Sequence, residues 1–486
     1  MNRTYFDTET DGINSNYSQI LTIYAKALNP EGKLIDVLDE SCAATPHRIF
    51  HPKALLTNGY PLELLRQNQT LHSLLLKSYD FFRRNGPSLF IAHNANFDFK
   101  MLHNANYQNL IGEDIYQLKN PGNALLCSMQ LSRTMHCFSR DNNFYVEKDK
   151  KGVPLFNLPS LAKANGIKFS PHDAEEDVGA LQKLIELIEK EDPDIFNQSI
   201  QSSIKRHATQ MLLENAFSVA VLGTYNAMRP RAFAPIAISN SGSDAICVDL
   251  SSDISEINTL SPLEMSGFMG NKIGKNQKVF KLPLNKSIVL LDPSYIEFCE
   301  GYNGLTSQNL FRKASMFRRD TDLKHTAIEA LRWHESGFEQ NEPTVEQLLY
   351  QEGFPNPMEK SFIRAFNLSY PEDKLDVISA YSNILSSSRF IKLAHRLMLH
   401  IYPEHVSSQQ QSKYFNWCYD RIFKQPTSEY DPKWMTIYTA WQELEKCKSE
   451  YPNDRERISE IAQYYDKFSK MMGFNLPKSF KSTLDI

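Results

Sequence analysis

Five ionisable side chains on separated segments constrain this chain more than any other feature: Asp7, Glu9, Asp98, His172 and Asp177. Asp7 and Glu9 occupy alternate positions of an apolar segment that predicts a β-strand, so both carboxylates point to one side. Four carboxylates and one histidine, with no cysteine among them, form the oxygen-rich ligand set that Mg²⁺ or Mn²⁺ prefers in proteins. Such a set is suited to hydrolysis of a phosphodiester by two metal ions.

The first acidic pair is predicted to be buried. Asp7 follows Tyr5 and Phe6 in a segment that is typical of a central strand, where unpaired carboxylates are costly. Acidic residues also alternate in exposed edge strands, which is the alternative interpretation of this pair. Because buried acids need metals or cationic partners, we expect Asp7 and Glu9 to be metal ligands.

Asp98 lies where a short apolar strand is predicted to give way to a helix. Alone it would be an ordinary acid at a helix start, favoured by the helix dipole. His93 and Asn94 precede it at the strand end, however, and strand-to-helix junctions are where open α/β sheets build their sites. Asp98 is therefore a third candidate ligand.

His172 is the candidate general base. Asp173 and Glu176 have the spacing of a helix cap, so a helix is expected to begin at Asp173, with His172 just outside and Asp177 about one turn inside. A lone histidine is more often a surface or capping residue. Beside a metal ligand, an imidazole with a pKa near neutrality can accept a proton from water and release it in each cycle.

The order and spacing of these motifs resemble a known nuclease family. The D-x-E near the N-terminus, the H-N-x-x-F-D in the middle and the later H-x-x-x-x-D are similar to those of the DEDDh 3′→5′ exonucleases. Segments 158–167 and 245–254 resemble bacterial exodeoxyribonuclease I, as does the plan of a nuclease segment with a long extension. The resemblance covers most of the chain, closely in the first half and more diffusely after Phe280.

This resemblance implies an activity. It implies processive 3′→5′ digestion of single-stranded DNA to 5′-mononucleotides in DNA repair or recombination, with two Mg²⁺ ions that Mn²⁺ could replace. Asp7, Glu9, Asp98 and Asp177 would hold the metals. Glu9, followed by Thr10, would also contact the terminal nucleotide.

Asn157 is a further candidate substrate contact. It stands where relatives of the exodeoxyribonuclease I type carry an arginine that reaches the substrate. We therefore expect phosphate binding at this position to be weaker, or to be supplied by another residue.

The same resemblance implies three domains. Residues 1–195 should form an α/β ribonuclease-H-like exonuclease domain, 203–343 a small SH3-like β-rich domain, and 344–486 an α-helical C-terminal domain. The local patterns agree with this order. They predict a hairpin from 19–28 and 33–38, helices at 71–84, 389–401 and 434–450, and strands at 217–222, 236–239, 245–250, 278–282 and 287–291.

Composition is that of an ordinary soluble protein. The 486 residues exceed what one hydrophobic core usually supports, and 41% hydrophobic with 23% charged residues is typical of globular domains. No apolar run approaches the roughly 18 residues of a membrane span, and the first residues do not read as a signal peptide. Seven scattered cysteines without a C-x-x-C pair fit a reducing compartment. We expect a cytoplasmic monomer without membrane attachment.

The net charge of −4 excludes a uniformly basic coat but not a locally basic groove for single strands. Each basic cluster, taken alone, is typical of a solvated face. Together they are candidate phosphate contacts: Lys205, Arg206, Arg229, Arg231, Lys272, Lys281, Arg312, Lys313, Arg318 and Arg319, with Tyr225, Phe233 and Phe311 as candidate stacking residues.

A protein partner is also implied by the resemblance, because exodeoxyribonuclease I docks the acidic C-terminal tail of single-stranded DNA-binding protein in a basic pocket. Segment 308–319 combines the apolar Phe311 with Arg312 and neighbouring cations, which suits an acidic peptide that ends in an aromatic residue. An exposed helix face with ordinary surface cations is the alternative interpretation.

Two other functions compete with the leading one. An RNA-trimming or proofreading DEDDh exonuclease would use the same site, but such enzymes are typically short chains of the nuclease domain alone. A non-catalytic strand-binding scaffold would not need all five site residues.

Overall fold

The computed structural model describes ten ranges of the chain, and every structural statement concerns these. They are residues 1–112, 117–139, 143–170, 174–223, 228–270, 273–274, 277–299, 302, 305–336 and 343–477. The predicted general base His172, its neighbour Asp173, Tyr225 and Lys272 lie outside the described residues.

The first part of the chain forms a five-stranded mixed sheet with helices around it. The strand order is β3-β2-β1-β4-β5, in which β1 pairs antiparallel with β2 and parallel with β4. Its elements are β1 (Asn2–Thr10), β2 (Ile20–Leu28), β3 (Leu34–Ser41), α1 (Pro52–Thr57), α2 (Leu71–Arg84), β4 (Ser88–Ala92), α3 (Ala95–Gln108), β5 (Ala124–Cys127), α4 (Ser128–Phe138), α5 (Leu158–Ala164), α6 (Ala174–Glu191), α7 (Pro193–Ser203) and α8 (Lys205–Glu214).

The local sequence explains these elements. The predicted hairpin is confirmed, and Gly32 in its turn adopts a φ of 79°, a left-handed conformation that glycine reaches without a steric penalty. The predicted helix at 71–84 is confirmed as well, with the Thr70 side chain accepting a hydrogen bond from the Ser73 amide as its N-cap. Both predictions held because apolar spacing and turn chemistry agreed.

The middle of the chain forms a second sheet of four antiparallel strands in sequential order. The predicted strand at 287–291 is wrong, because this apolar run contributes only a single bridge, between Leu291 and Val219, and otherwise buries its side chains as irregular chain. The elements are β6 (Ser218–Leu222), β7 (Arg229–Ile238), β8 (Asp244–Asp249), α9 (Ile254–Asn258), α10 (Pro262–Ser266), β9 (Val279–Pro283), α11 (Ser307–Arg319) and α12 (Thr321–Ser336).

The regular elements described from 343 to 477 are all helical. The predicted helix at 389–401 is confirmed, whereas the one predicted at 434–450 begins at Ile437, since Thr436 caps it together with Thr439. The helices are α13 (Leu348–Gln351), α14 (Pro357–Leu368), α15 (Lys374–Ser382), α16 (Arg389–Ile401), α17 (Ser408–Phe423), α18 (Ile437–Glu450) and α19 (Arg455–Met471).

Hydrophobic cores run across the predicted domain boundaries. Phe50 and Leu55 of the first part pack in one cluster with Trp441 and Tyr465 of the C-terminal helices. A second cluster joins the first sheet to the middle of the chain. The three predicted domains therefore pack against one another, and their boundaries stay predictions. None of the helices within the described ranges has the length and apolar character that crossing a bilayer requires.

Candidate active site

The central strand β1 presents the first two carboxylates. Asp7 and Glu9 lie two residues apart, opposite Tyr24 and Thr22 of β2, and both side chains are partly buried. Residues at this spacing share one side of a strand. The structure thus places both acids beside each other in the middle of the sheet rather than on an exposed edge.

Asp98 approaches the same place from the neighbouring strand. Asn94, with a φ of 60°, turns the chain from β4 into α3, and Asp98 lies in the first turn of that helix. Its side chain is 2% exposed, and its Oδ1 accepts a hydrogen bond of 2.6 Å from the Thr8 hydroxyl. Thr8 fixes the orientation of the Asp98 carboxylate, a role that the sequence did not predict.

Helix α6 brings the fourth carboxylate. Val178, Leu181 and Leu184 are buried on one side of this helix, which packs across β1 and β2. Asp177, one residue before this apolar stripe, then reaches the strand: ligand atoms of Asp7, Glu9 and Asp177 all lie within 4.8 Å of one another. The predicted beginning of this helix, with His172, falls outside the described residues.

Burial and mutual repulsion oppose ionisation of this cluster. Burial, together with the neighbouring Asp177 and Asp98, raises the pKa of Glu9 to about 8. Burial also raises the pKa of Asp98 to about 7, although the Thr8 hydrogen bond favours its charged form. The pKa of Asp7 lies well above its usual range because of burial and, in decreasing order, Asp98, Glu9 and Asp177. Protons or cations must therefore neutralise the site.

The donor set fits divalent cations. Its four acids provide hard oxygen ligands, and three of them already have ligand atoms close enough to share an ion. Carboxylates held protonated by repulsion release those protons when a cation binds, so metal affinity should increase with pH. Asp7, Glu9, Asp98 and Asp177 are the residues that would hold the metal.

The metal-free protein is expected to lose folding stability as the pH rises from the ordinary to the raised pKa values of Glu9 and Asp98. Glu9 has an ordinary pKa of 4.5 and a folded value of about 8, and Asp98 shifts from 3.8 to about 7. Above their ordinary values the unfolded chain releases these protons while the folded chain retains them, which favours unfolding. The melting temperature in EDTA should fall by a few degrees between pH 5 and pH 8.

Added Mg²⁺ should restore that loss at pH 8 and have little effect at pH 5. An Asp7→Asn protein serves as the internal control, because it removes one repelling group and should show a flatter melting profile in EDTA. Superimposable pH profiles of the two proteins would contradict the assignment of the stability loss to this cluster.

The predicted substrate contacts have structural roles in the described fold. Thr10 is 8% exposed, and its hydroxyl donates to the carbonyl oxygen of Gly12 at 2.9 Å. Asn157 is exposed and caps α5, with its Oδ1 accepting a hydrogen bond from the Ser160 amide. Their contacts with a nucleotide stay predictions.

His93, which received no catalytic role from the sequence, is held by two hydrogen bonds. Its Nδ1 lies 2.8 Å from the Ser128 hydroxyl and its Nε2 lies 2.9 Å from the Phe156 carbonyl oxygen. Burial lowers its pKa to about 4, so the ring is neutral at physiological pH. This histidine therefore supports the junction before Asp98 rather than exchanging protons.

Two of the predicted contacts to single-stranded DNA, Arg231 and Phe233, are wrong. Arg231 is fully buried, where it pairs with Asp249 at 2.8 Å and donates to backbone carbonyls, and Phe233 is buried in edge-to-face contact with Phe280. Neither can reach a nucleic acid. The alternation of residue types along the sequence does not reveal that these two side chains are buried, because β7 is buried on both faces along most of its length.

Two cationic side chains of α11 form hydrogen bonds within the protein. Arg318 donates to the carbonyl of Leu212 at the end of α8, and Lys313 donates to the carbonyls of Leu250 and Ser252. Arg312 and Arg319 on the same helix remain exposed, as does Phe311, which is 51% exposed.

Comparison with known proteins identifies relatives of this chain. No family model matches the chain. Exodeoxyribonuclease I of Buchnera aphidicola subsp. Schizaphis graminum is 21% identical over 268 residues, which are 53% of this chain and 55% of the relative. The match thus spans about half the length of this curated relative.

The fold matches over nearly the whole chain. E. coli exonuclease I in complex with a dT13 oligonucleotide superposes with a TM-score of 0.79 at 20% identity, over 96% of this chain and 99% of that one. An ExoI/SSB-Ct complex superposes with a TM-score of 0.78 at 18% identity, over 97% and 99% of the two chains. The predicted resemblance to bacterial exodeoxyribonuclease I is confirmed.

Proposed function

We propose that this chain, which resembles bacterial exodeoxyribonuclease I in sequence and throughout its fold, is a metal-dependent exonuclease that degrades single-stranded DNA from the 3′ end. The observation that carries the proposal is the gathering of Asp7, Glu9 and Asp177 within 4.8 Å, with Asp98 buried beside them. The product is a nucleoside 5′-monophosphate, and the cellular role is DNA repair or recombination in the cytoplasm.

The residues of the chain provide position and charge for this reaction. Asp7, Glu9, Asp98 and Asp177 would hold two divalent cations, which would supply the acidity that activates a water and the positive charge that stabilises the leaving 3′-oxygen. The sheet fixes Asp7 and Glu9, and the Thr8 hydroxyl fixes Asp98, so the ligand oxygens are preorganised. Mg²⁺ is the expected ion, with Mn²⁺ as a functional substitute.

His172 is assigned the proton-accepting role in this proposal. It stands five residues before Asp177 in the sequence, and α6 carries Asp177 in its first turn. A neutral imidazole near that ligand would take the proton of the attacking water and return it to solvent.

The alternative is an RNA-trimming or proofreading exonuclease with the same carboxylates. DNA is favoured because the curated relative named above is an exodeoxyribonuclease and one structural neighbour holds a dT13 oligonucleotide. An assay of end-labelled single-stranded DNA, matched RNA and duplex DNA, each with Mg²⁺ or EDTA, separates these functions. Faster loss of RNA than of DNA would overturn the substrate assignment.

A docking site for an acidic peptide tail is proposed on α11. One structural neighbour is a complex of exonuclease I with SSB-Ct. Helix α11 exposes Phe311 beside Arg312, whereas Leu310, Ala314 and Phe317 on its other side are buried. An acidic tail with a terminal aromatic residue would pair with the arginine and pack on the exposed ring.

Charge reversal tests this surface directly. Arg312→Glu should weaken binding of a labelled acidic tail peptide about tenfold while leaving hydrolysis of naked DNA unchanged, because one cation at the peptide is replaced by a repelling charge. Arg455→Glu, at an exposed arginine on α19, is the matched control. Equal peptide affinities of the two variants would exclude α11.

A further inference from the structure

Helix α6 carries Asp177 at the very beginning of its apolar stripe. Val178 is the first buried residue of the stripe, which continues from there to Ile188 at the far end of the helix. Apolar packing is non-directional, so it determines which side of the helix is buried more strictly than where the helix lies along the sheet. The short distances between Asp177 and the two acids of β1 therefore call for directional contacts as well.

An arginine and a glutamate provide such a contact at the far end of α6, and we call them the arginine pair. The Arg3 guanidinium on β1 donates two hydrogen bonds to the Glu189 carboxylate on α6, of 2.5 Å from Nη1 and 2.7 Å from Nη2. The hydrogen bonding with Glu189 raises the pKa of Arg3. The guanidinium also lies 5.5 Å from the centroid of the Phe196 ring on α7. A bidentate pair fixes direction as well as distance.

A tyrosine and a glutamate, the tyrosine pair, provide a second contact at the near end. Tyr24 on β2 is 7% exposed, and its hydroxyl donates a hydrogen bond of 3.2 Å to the Glu175 carboxylate in the first turn of α6, two residues before Asp177. Burial lowers the pKa of Lys26, and Glu186 and Glu175 oppose this shift. A second residue of β2 thus also faces the acids of this helix.

Both pairs start from the side of the sheet that holds Asp7. Arg3 lies four positions before Asp7 on β1, and Tyr24 is the direct antiparallel partner of Asp7 on β2. Alternation places Arg3 and Asp7 on one side of the strand, and directly paired residues share that side. The same two strands therefore carry the acids that face α6 and the residues that hold α6 in place.

The two pairs act at opposite ends of a stiff rod. Glu175 and Glu189 are separated by about 21 Å along the helix, at about 1.5 Å per residue. A single contact would leave the helix able to tilt about it, whereas two contacts fix both its tilt and its position along the strands. A misplacement of about 1 Å is enough to disturb a reacting geometry.

We propose that the arginine pair and the tyrosine pair position Asp177 so that it can share a divalent cation with Asp7 and Glu9. This inference rests on the proposed function, because it concerns the metal site of that function. The four side chains of the pairs act through Asp177 and take no part in hydrolysis. Partners that orient a metal ligand typically contribute about ten- to hundredfold in metal affinity or activity.

Removal of one hydroxyl group tests the tyrosine pair. Tyr24→Phe keeps the ring in the core and should weaken Mn²⁺ binding in the absence of DNA about tenfold, as measured by calorimetric titration. Hydrolysis should require correspondingly more Mg²⁺ and approach the wild-type turnover at saturation. Tyr465→Phe is the matched control, since that buried hydroxyl donates to the Phe50 carbonyl among the C-terminal helices. Equal Mn²⁺ affinities of the two variants would overturn the role of the tyrosine pair.

A second helix-to-strand pair provides the control for the arginine pair. Arg84 at the end of α2 binds Asp36 of β3 through Nε and Nη2, at 2.6 Å and 3.1 Å, in the same sheet. Arg3→Gln and Arg84→Gln should lower the melting temperature similarly, but only Arg3→Gln should weaken Mn²⁺ binding, by about threefold.

A charge exchange completes this test. The double variant Arg3→Glu with Glu189→Arg restores the pair in reverse and should bind Mn²⁺ more tightly than either single variant. A purely structural arginine pair would change the melting temperature and leave Mn²⁺ affinity equal in Arg3→Gln and Arg84→Gln, and that result would overturn its positioning role. All titrations are carried out well below the melting temperature of each variant.

Hydrogen exchange in EDTA separates this inference from the proposed function. The amides of the first two turns of α6 should exchange faster in Tyr24→Phe than in the wild type or in Tyr465→Phe, whether or not the protein is a nuclease. Unchanged exchange and Mn²⁺ affinity in the variants of a wild type that binds Mn²⁺ and hydrolyses DNA would reject the positioning pairs alone. Faster exchange in the variant of a protein that neither binds Mn²⁺ nor hydrolyses DNA would reject the nuclease function and leave the pairs as anchors of α6 only.

Discussion

An Asp7→Asn protein is expected to lose at least about three orders of magnitude in turnover of single-stranded DNA at saturating Mg²⁺. One ligand of a shared site supplies roughly 4 kcal/mol of transition-state stabilisation, and about 1.4 kcal/mol corresponds to a factor of ten. Asp177→Asn should behave alike, because both residues contribute to the same cluster of ligand atoms. Folding should survive, since each change relieves repulsion between buried acids.

The control for these variants is Asp322→Asn, at an exposed acid in the first turn of α12. It should retain wild-type turnover. The measurement is initial-rate release of mononucleotides over a wide range of Mg²⁺ concentrations, together with the melting temperature in EDTA at pH 8. Turnover within a few-fold of wild type in either site variant would remove the four carboxylates as the catalytic centre.

A His172→Ala protein is expected to lose about 10²–10⁴ in turnover, the usual contribution of a positioned general base. Binding of the metal should change little, because imidazole is not among the four oxygen ligands. Higher pH should partly restore the rate, since hydroxide can replace the proton transfer that the side chain performed.

Metal dependence distinguishes this role from the alternatives for His172. Calorimetric titration with Mn²⁺ and the rate as a function of Mg²⁺ should be close to wild type in the histidine variant. If the variant instead requires far more Mg²⁺ and is then fully active, His172 is a ligand or a structural residue.

The sequence predicts those features of the fold that depend on local patterns. The strand of Asp7 and Glu9, the helix at 71–84 and the helix at 389–401 follow from apolar spacing, and Thr70 caps the first of these helices. The approach of Asp7, Glu9 and Asp177 follows from the order of the motifs together with the resemblance to a known family. The strand and the two helices are insensitive to how distant parts of the chain pack, whereas the approach of Asp177 depends on the packing of α6 against β1.

Other features depend on tertiary contacts and could not be predicted in this way. The Thr8 hydroxyl of β1 reaches Asp98 on α3, although alternation places Thr8 on the opposite side of β1 from Asp7 and Glu9. Arginine is a residue type that mostly lies at the protein surface, yet Arg231 is fully buried against Asp249. The packing of loop 285–287 and of α13 against α3 likewise arises from contacts between distant parts of the chain.

The most direct test of the central claim is the digestion of 5′-labelled single-stranded DNA by the wild type and by Asp7→Asn, with Mg²⁺ or with EDTA. The wild type should shorten the labelled strand progressively from its 3′ end and release nucleoside 5′-monophosphates, with Mg²⁺ only. The Asp7→Asn protein should leave the strand intact on the same timescale. Shortening in EDTA, or equal shortening by both proteins, would contradict a metal-dependent 3′→5′ exonuclease centred on these carboxylates.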